Sequence, residues 1–381
     1  MEYPFDDDQK TFREHLSRWV DERLIPRAEE LDESGEFARD LFKELGELGY
    51  LGIKYPEEYG GAGLDQRYVY YTMLCEELAR GSMGFAATVA MHGSAASHML
   101  FEDGTEEQKQ KYLVPALKGD MVCAFAITEP QAGSDAAAIR TRAERTNDGW
   151  VINGNKIFTS NSVYADFITV VAKVDGVAGA QGMALFLVDT KTPGFSVGRQ
   201  IEKFTTHCSD TAELFFEDMK LPLDCRLGGE ESDFKSAYRM LTVDRVITAA
   251  IALGNAKAAY AAALEYAQER EQFGQTIGSF QAVQFKLVDM LATLEQAHLY
   301  TYHCAAMADR GEDVTKEAAI AKIVAGDGGN EICQKALNIF GGYGLTMEYP
   351  AQRYLRDSFF PVIGGGTSDI MRLIASRKMG L

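Results

Sequence analysis

The spacing of apolar residues changes twice along this chain of 381 residues, and this change limits the possible folds more than any single motif does. From about residue 6 to residue 117 apolar side chains recur every three or four positions, for example Phe12 and Leu16, which indicates amphipathic helices. Near Met121 the period becomes two, and from about Ser232 it is again that of a helix. The pattern predicts helical segments on either side of a central β region.

Two β-rich runs, 167–171 and 184–188, mark the central region. Three glycine-containing dipeptides, at 148–149, 153–154 and 193–194, have the composition of tight turns. We therefore expect short strands joined by turns at these positions.

The last third of the chain is rich in alanine and is predicted to form long helices. They extend to Arg270, from Phe280 to Arg310 and from Thr315 to Phe340, with a glycine-rich break at 341–344. The changes of period predict three domains, which are an N-terminal helical domain (1–120), a middle β domain (121–229) and a C-terminal helical domain (230–381).

The composition excludes several classes of function. A formal net charge of −18 argues against a nucleic-acid partner, because phosphate binding requires clustered Lys and Arg. The cysteines have the spacing of neither a zinc site nor a disulfide framework. They are Cys75, Cys123, Cys208, Cys225, Cys304 and Cys333. The start of the chain resembles no signal peptide, and no run of eighteen apolar residues occurs, so we expect a cytoplasmic protein without a membrane span or a metal.

The common nucleotide-binding motifs are missing from the sequence. No GxGxxG follows a predicted strand, and no GxxxxGK[ST] occurs. A doubly wound nucleotide-binding domain is therefore unsupported.

Two segments of the β region contain residues suited to binding a planar ligand. Segment 125–135 (FAITEPQAGSD) begins as a strand and continues as a loop with the hydroxyls of Thr128 and Ser134. Segment 150–161 (WVINGNKIFTSN) is predicted to be a hairpin turn followed by a strand that ends in an aromatic residue and hydroxyls. Each also fits ordinary structure, namely a capped turn and a core aromatic residue.

Together, and in this order, the two segments resemble the acyl-CoA dehydrogenase family. Further matches are Arg270–Gly274 (REQFG), Phe280–Gln284 (FQAVQ), Phe340–Gly344 (FGGYG), Arg356–Asp357 (RD) and Gly365–Asp369 (GGTSD). The resemblance spans nearly the whole chain. It implies a mostly α fold with a central β domain, in which an N-terminal helical domain precedes a middle β-barrel or β-sandwich domain and a C-terminal four-helix bundle.

The resemblance implies FAD as the cofactor. The positions that match FAD-binding residues of the family are Phe125, Ile127, Thr128, Gly133, Ser134, Phe158, Thr159, Ser160, Arg270, Phe273, Gln281, Asn338, Phe340, Gly341, Gly342, Thr367 and Asp369. Phe158 replaces a frequent Trp and Ser160 a frequent Thr, which keeps an aromatic face and a hydroxyl. The positions from Arg270 to Gly342 match residues that reach the FAD of a neighbouring subunit, so a homotetramer is expected.

The resemblance also implies a reaction in which a base takes the α-proton of an acyl-CoA thioester and flavin N5 takes the β-hydride. The electrons then pass to electron-transfer flavoprotein. Many members carry a glutamate base in the C-terminal loop, where this chain has Gly365. In a minority branch, including isovaleryl- and long-chain-type members, the glutamate precedes an arginine on the first helix after the β domain. The matching pair here is Asp244-Arg245, so Asp244 is the predicted base. A solvated Asp paired with a local cation is the alternative.

The sequence predicts the base as a single residue, whereas it predicts the substrate only as a class of acyl group. Positions matching substrate contacts are Met91, Ser134, Thr242, Arg245, Gly365 and Gly366. Asp is shorter than Glu by about 1.5 Å, one carbon–carbon bond. Either the helix lies closer to the substrate or the substrate fills this gap, and our hypothesis is a branched or alicyclic acyl group. His92 either faces the acyl pocket or is a satisfied core residue.

Two alternatives to an acyl-CoA dehydrogenase stay open at the level of the sequence. The vacancy at Gly365 also fits a non-catalytic acyl-CoA-binding subunit of the same fold. A flavin enzyme of this fold acting on a carrier-protein thioester or a nitroalkane is the other, because a fold alone does not fix the substrate.

Overall fold

The computed structural model describes residues 3–176, 182–229 and 235–381, and it describes no side chains for Ala95 and residues 235–240. Two of our sequence-based boundaries, Ser232 and residue 230, lie outside the described residues. Within them, the α-helices are α1 (Asp7–Trp19), α2 (Ala28–Ser34), α3 (Arg39–Glu47), α4 (Arg67–Gly81), α5 (Met83–Ala90), α6 (Ser97–Asp103), α7 (Glu106–Gln108), α8 (Val114–Leu117), α9 (Lys235–Glu269), α10 (Gln281–Asp309), α11 (Thr315–Phe340), α12 (Ala351–Asp357), α13 (Phe360–Ile363) and α14 (Ser368–Lys378). The strands are β1 (Cys123–Ala126), β2 (Arg142–Arg145), β3 (Trp150–Ser160), β4 (Phe167–Val174), β5 (Met183–Asp189), β6 (Phe195–Gln200), β7 (Thr211–Leu221), β8 (Glu271–Gln272) and β9 (Gln275–Thr276). This order confirms the predicted helical, β and helical regions.

The N-terminal helices surround α4, whose residues are almost all buried. Helix α1 begins at a capping box, in which the Asp6 carboxylate accepts from the Gln9 amide and the Gln9 side chain accepts from the Asp6 amide. Ser82 ends α4 and caps α5. A π-helical turn, Met91–Ala96, continues α5 and brings the chain across the first long helix of the C-terminal region.

The central strands form one sheet of seven strands within the described residues. Strand β4 pairs in parallel with β1 and β2 and antiparallel with β5, while β3 pairs with β2 and β7. The buried run of β4, Phe167–Val171, lies in the middle of this sheet, as its continuous apolar sequence predicts.

The predicted hairpin turn at Asn153-Gly154 is wrong. Both residues lie inside the uninterrupted strand β3, at an irregularity where the register with β7 shifts between Ile152 and Gly154. A Cβ at Gly154 would lie 2.7 Å from the Thr141 Cα atom, so glycine is needed for a close backbone approach. A glycine inside a strand pattern marks a bulge or a close approach as often as a turn.

The C-terminal helices pack around α9, which extends for 35 residues and lies against α4, α10 and α11. Gly254 permits the contact with α4, because a Cβ at that position would lie 2.0 Å from the Glu76 carbonyl oxygen. The part of α9 from Leu241 to Glu269 is long and apolar enough to cross a membrane by length and composition, but 78% of its most apolar window is buried inside the protein. Its composition therefore reflects its place in the core.

Candidate active site

The carboxylate of Asp244 is buried at the contact between α9 and the π-helical turn of the N-terminal region. Its residue is 5% exposed, and the Ser94 hydroxyl donates a hydrogen bond to Oδ1. The same hydroxyl lies 2.7 Å from the Ala90 carbonyl oxygen, a second acceptor. A hydroxyl has one hydrogen, so Ser94 donates to the carboxylate when Asp244 is charged and to Ala90 when a protonated Asp244 donates to it.

Burial is the largest influence on Asp244 and raises the pKa of its carboxyl group above the usual range. The hydrogen bond from Ser94 and the charges of Lys54, Arg245 and Lys322 act in the opposite direction. The solvated Asp of the alternative interpretation is therefore not what the structure contains. A buried carboxylate with a raised pKa has the properties of a proton acceptor.

Lys322, on α11, fixes the loop that carries Gly365. Its buried ammonium donates to the carbonyl oxygens of Pro361, at 2.7 Å, and Gly366, at 2.6 Å. Gly365 has a φ of +65°, which favours glycine, and a Cβ there would lie 3.4 Å from the hydroxyl oxygen of Thr248. Thr248 follows Asp244 by one helical turn, so the loop position that lacks a carboxylate faces the helix that has one.

The other predicted substrate residues are only partly brought together. Thr242 and Arg245 are buried on α9 beside Asp244, and Met91 begins the turn that holds Ser94. Ser134 is exposed in the loop after β1, and among the described residues no hydrogen bond joins it to Asp244. His92 is a core residue, since Nε2 donates to the Ala116 carbonyl and Nδ1 accepts from the Cys123 amide.

A bulge in β3 turns Phe158 out of the sheet. The pairing with β7 shifts between Lys156 and Thr159, and Phe158 has a φ of +55°, rare for a residue with a side chain. Its ring is 61% exposed. The amide of Ile157 donates to the Thr128 carbonyl at 2.9 Å, which holds the predicted ligand loop against this strand.

The loop itself is anchored by a buried ion pair. Glu129 accepts from the Lys156 ammonium at 2.8 Å and from the amides of Arg140 and Thr141. These bonds hold the pKa of Glu129 at about 2 although its burial acts the other way. The anchored loop carries Gly133, beside which a Cβ would meet nothing within 4 Å, so the loop borders open space.

The donor set of this face fits a flavin. The exposed Phe158 ring offers a planar surface, and the buried Thr159 hydroxyl has no hydrogen-bond partner among the described residues. The predicted residues Phe125, Ile127, Thr128 and Ser160 are partly buried around it. A partly apolar surface with a few unsatisfied polar groups is what a cofactor site presents.

A second predicted set lies on the C-terminal helices. Strands β8 and β9 form a two-residue hairpin whose turn, Phe273-Gly274, has positive φ at both residues and leaves the Phe273 ring 93% exposed. Arg270 and residues 340–342 line a shallow cavity of about 460 Å³. Among the described residues, no hydrogen bond or ring contact joins this set to the Phe158 face.

The remaining predicted cofactor positions lie near the ends of helices. Thr367 caps α14 by accepting from the Ile370 amide, so its hydroxyl is already used within the fold. Asp369 is exposed in the first turn of α14, Gln281 begins α10, and Asn338 lies in the last turn of α11. Both Gln281 and Asn338 are exposed, and Asn338 lies on α11, whose last residues also line the Arg270 cavity.

Comparison with known proteins decides the family. The models of the acyl-CoA dehydrogenase N-terminal, middle and C-terminal domains match residues 6–120, 124–219 and 234–380. The chain belongs to the acyl-CoA dehydrogenase family. The chain is therefore an oxidoreductase of a flavoprotein family whose members act on acyl-CoA thioesters.

Individual members of the acyl-CoA dehydrogenase family match over the full length. The chain is 40% identical over 380 residues to benzylmalonyl-CoA dehydrogenase of Aromatoleum aromaticum, covering 100% of both proteins. The structure of butyryl-CoA dehydrogenase from Megasphaera elsdenii has a TM-score of 0.96 at 37% identity and full coverage of both chains. A chain in a structure of the electron transferring flavoprotein of Acidaminococcus fermentans has a TM-score of 0.96 at 40% identity, covering 100% of this chain and 99% of that one.

Sequence reasoning missed two lysines of this acyl-CoA dehydrogenase site, Lys54 and Lys322. Both are buried in otherwise apolar surroundings and act on the pKa of Asp244. The signal was a charged residue at a core position, in LGIKY for Lys54 and in AIAKIVA for Lys322. Lysine is almost never fully buried without a function or a partner, so a lysine within an apolar stretch of sequence indicates a functional or paired residue.

Proposed function

We propose that this protein catalyses the FAD-dependent α,β-dehydrogenation of an acyl-CoA thioester with Asp244 as the base. The observation that carries the proposal is the buried Asp244 carboxylate, bonded to Ser94, on the helix that the loop at Gly365 faces through Thr248. Asp244 takes the proton from the α carbon, and the electron pair of that C–H bond forms the C=C bond as a hydride leaves the β carbon. FAD, when bound, supplies the acceptor for that hydride.

The chain's own residues would prepare each part of this step. Ser94 changes its acceptor when Asp244 becomes protonated, so both protonation states of the base are hydrogen-bonded. The backbone amide at Gly365 is available to the thioester oxygen, and Lys322 fixes the loop through the adjacent carbonyls. Closed packing around Asp244 excludes water, which strengthens each of these interactions.

The two sets of predicted flavin residues support a shared cofactor site. Phe158 and the loop after β1 would hold the ring of FAD, while Arg270 and residues 340–342 of a neighbouring subunit would hold its phosphates. Guanidinium groups suit phosphate oxygens. This arrangement requires an oligomer, and a homotetramer is the proposed state.

The finer parts of the proposal concern partners and substrate. Electron-transfer flavoprotein is the proposed electron acceptor, supported by the likeness to a chain in a structure of such a flavoprotein. A branched or alicyclic acyl group remains the proposed substrate, because Asp244 is shorter than a glutamate. We also propose that the domain boundaries lie at residues 120 and 229.

Anaerobic mixing of the holoenzyme with acyl-CoAs tests the proposed function. Bleaching of the flavin absorption band is expected with isovaleryl-, cyclohexanecarboxyl- or benzylmalonyl-CoA and is expected to be slower with butyryl-CoA. Asp244→Asn should retain FAD and lose bleaching. If no acyl-CoA bleaches the flavin of the wild-type protein, the result would support the non-catalytic subunit. Bleaching by a nitroalkane or by a carrier-protein thioester would support the third function.

A further inference from the structure

Lys54 is a buried cation without an anionic partner. Its residue is 4% exposed, and its ammonium lies over the ring faces of Tyr71, at 4.6 Å, and Tyr55, at 5.3 Å. It forms no hydrogen bond or ion pair with the residues that the structure describes. Ring faces attract an ammonium group but replace only part of its hydration, so the site is incomplete for a charged lysine.

The contacts of the two tyrosines place Lys54 beside the catalytic region. The Tyr55 hydroxyl donates to the Gly93 carbonyl at 2.8 Å, and the Tyr71 hydroxyl donates to the Val89 carbonyl at 3.2 Å. Ser94, which follows Gly93 in the chain, donates a hydrogen bond to Asp244. One continuous segment, 89–94, therefore contacts both the two rings beside the Lys54 ammonium and the proposed base.

Lys54 is one of the charged groups that act on Asp244. The charges of Lys54, Arg245 and Lys322 each lower the pKa of the Asp244 carboxyl group. Burial is the main reason that the pKa of Lys54 falls to about 7, while Asp244 acts in the opposite direction. The other groups acting on Lys54 are the cation of Arg67, the more distant carboxylate of Glu102 and the thiol of Cys75, which burial keeps neutral by raising its pKa.

We propose that Lys54 binds a carboxylate carried by the acyl group, so that the preferred substrate is the CoA thioester of a dicarboxylic acid. The inference rests on the proposed function, because it requires the acyl chain to lie beside Asp244. A carboxylate completes the hydrogen bonding of the Lys54 ammonium and balances its charge, whereas a neutral chain end does neither. The hydroxyls of Tyr55 and Tyr71 already donate to backbone carbonyls, which leaves Lys54 as the donor.

Pairs of thioesters that differ only in the second carboxylate test this inference. The holoenzyme is mixed anaerobically with glutaryl-CoA or valeryl-CoA, and with adipoyl-CoA or hexanoyl-CoA, at a pH above the acidic limb of the rate profile. We expect the carboxylate member of a pair to bleach the flavin about 100-fold more efficiently, the effect of completing a buried charge pair. Lys54→Met should remove this preference, so that the two members of a pair bleach the flavin equally in this variant.

The control variant is Lys109→Met, which removes a partly exposed lysine that also lies over two rings, those of Tyr59 and Phe101. It should keep the wild-type preference. Lys54→Met is expected to fold, because an apolar side chain of similar length replaces a buried unpaired charge.

Proton uptake provides a readout that does not depend on turnover. A carboxylate beside Lys54 raises its pKa from about 7, so binding at pH 7.5 should take up a proton from solution. Calorimetry of glutaryl-CoA binding in buffers of different ionisation enthalpy measures this uptake, with valeryl-CoA and Lys54→Met as references that should show none.

The outcomes separate the two proposals. Equal bleaching by both members of each pair, or an equal slowing of both in Lys54→Met, would overturn the role of Lys54 and leave the dehydrogenase proposal standing. If no thioester bleaches the flavin, the dehydrogenase proposal fails. Proton uptake specific to glutaryl-CoA and dependent on Lys54 would still support the carboxylate site in that case, and its absence would refute it.

Discussion

The hydroxyl of Ser94 donates a hydrogen bond to the carboxylate of Asp244 across 150 positions of sequence. The donor lies in the π-helical turn after α5, and the acceptor lies on α9, the first long helix after the β sheet. The predicted base is therefore held by a residue from the other helical region of the chain. This hydrogen bond opposes the effect of burial on the pKa of Asp244 and can be tested directly.

Ser94→Ala should move the acidic limb of the rate profile to higher pH. Asp244 acts when ionised, and the hydrogen bond from Ser94 favours the ionised form, so its loss raises the pKa of Asp244 further. Below this limb we expect bleaching to slow by about tenfold, the effect of one hydrogen bond to a charged group. Stopped-flow bleaching from pH 5 to 9 measures the shift. Ser97→Ala is the control, because Ser97 bonds the carbonyls of His92 and Gly93 in the same region but not Asp244.

Asp244→Asn should increase thermal stability at pH 7 while slowing bleaching at least about 1000-fold, within the range expected for removal of a general base. The raised pKa of Asp244 means that the folded state binds its proton more tightly than the unfolded state does. The stability from this group is therefore lost as pH rises from its usual pKa through the folded one, and the amide avoids that loss. Thermal unfolding against pH should show the stabilisation shrinking toward acid.

The exposed Asp289 provides the control for this stability effect, and Asp289→Asn should leave the melting temperature unchanged. A lower melting temperature for Asp244→Asn at pH 7 would contradict the prediction, because it would show that the charged carboxylate stabilises the fold.

Gly365→Ala should reduce the free energy of unfolding by about 1 kcal/mol, because a residue with a Cβ is disfavoured at a positive φ. Gly311→Ala is a matched variant, since Gly311 has a φ of +74° and open space around it. Both should lose similar stability in denaturant titrations. Bleaching should slow only in Gly365→Ala, whose methyl group would lie at the proposed thioester site, and equal activity of the two variants would argue against that site.

Arg270→Gln should weaken FAD retention without disturbing the fold of the subunit. The Arg270 guanidinium lies over the Tyr343 ring, at 5.4 Å, at the edge of the cavity on the C-terminal helices. We expect FAD release on dilution to increase about tenfold, as for one charge-assisted contact. Arg310→Gln removes an exposed arginine paired with Glu312 and should have no effect. Unchanged FAD retention in Arg270→Gln would contradict the shared cofactor site.

Glu129→Gln should lower the free energy of unfolding by about 3 kcal/mol, the cost of leaving a buried cation unpaired. Lys156 is the cation, and it would keep only neutral acceptors, the Ile127 carbonyl and the amide oxygen of the substituted side chain, in place of a carboxylate. Denaturant titration at pH 7 gives the difference. The double variant Glu129→Gln, Lys156→Met should recover part of the loss, and a double variant no more stable than the single one would refute this account.

The order of helical and β regions could be predicted from the sequence because the apolar period differs between helices and strands. The predicted bounds of α11, Thr315 and Phe340, agree with the structure. A pair of glycines follows Phe340 in the sequence and marks the C-terminal end. The turn at Asn153-Gly154 was wrong because Thr141, whose close approach requires glycine there, belongs to the segment just before β2. Such tertiary contacts leave no local pattern.

The candidate site was predictable only in part. Asp244 could be chosen because the vacancy at Gly365 required another carboxylate, and both positions are defined by family resemblance. Lys54 has no such reference, and its environment depends on Tyr71 and on the turn at Gly93, which folding brings together. The interpretation of His92 as a core residue needed its partners, Ala116 and Cys123, before it could be preferred.

The contact of Gly254 with α4 fixes the orientation of α9, the helix that carries the proposed base Asp244. Gly254 lies ten residues after Asp244, about 15 Å along the helix axis. A side chain there would press on the Glu76 carbonyl and tilt α9, and the tilt would separate Asp244 from Ser94 at the far end. A substitution at Gly254 would contact neither substrate nor cofactor and would still reduce activity, because it would displace Asp244. When a variant along α9 is inactive, the cause should therefore be sought in the position of the whole helix as well as at the active site.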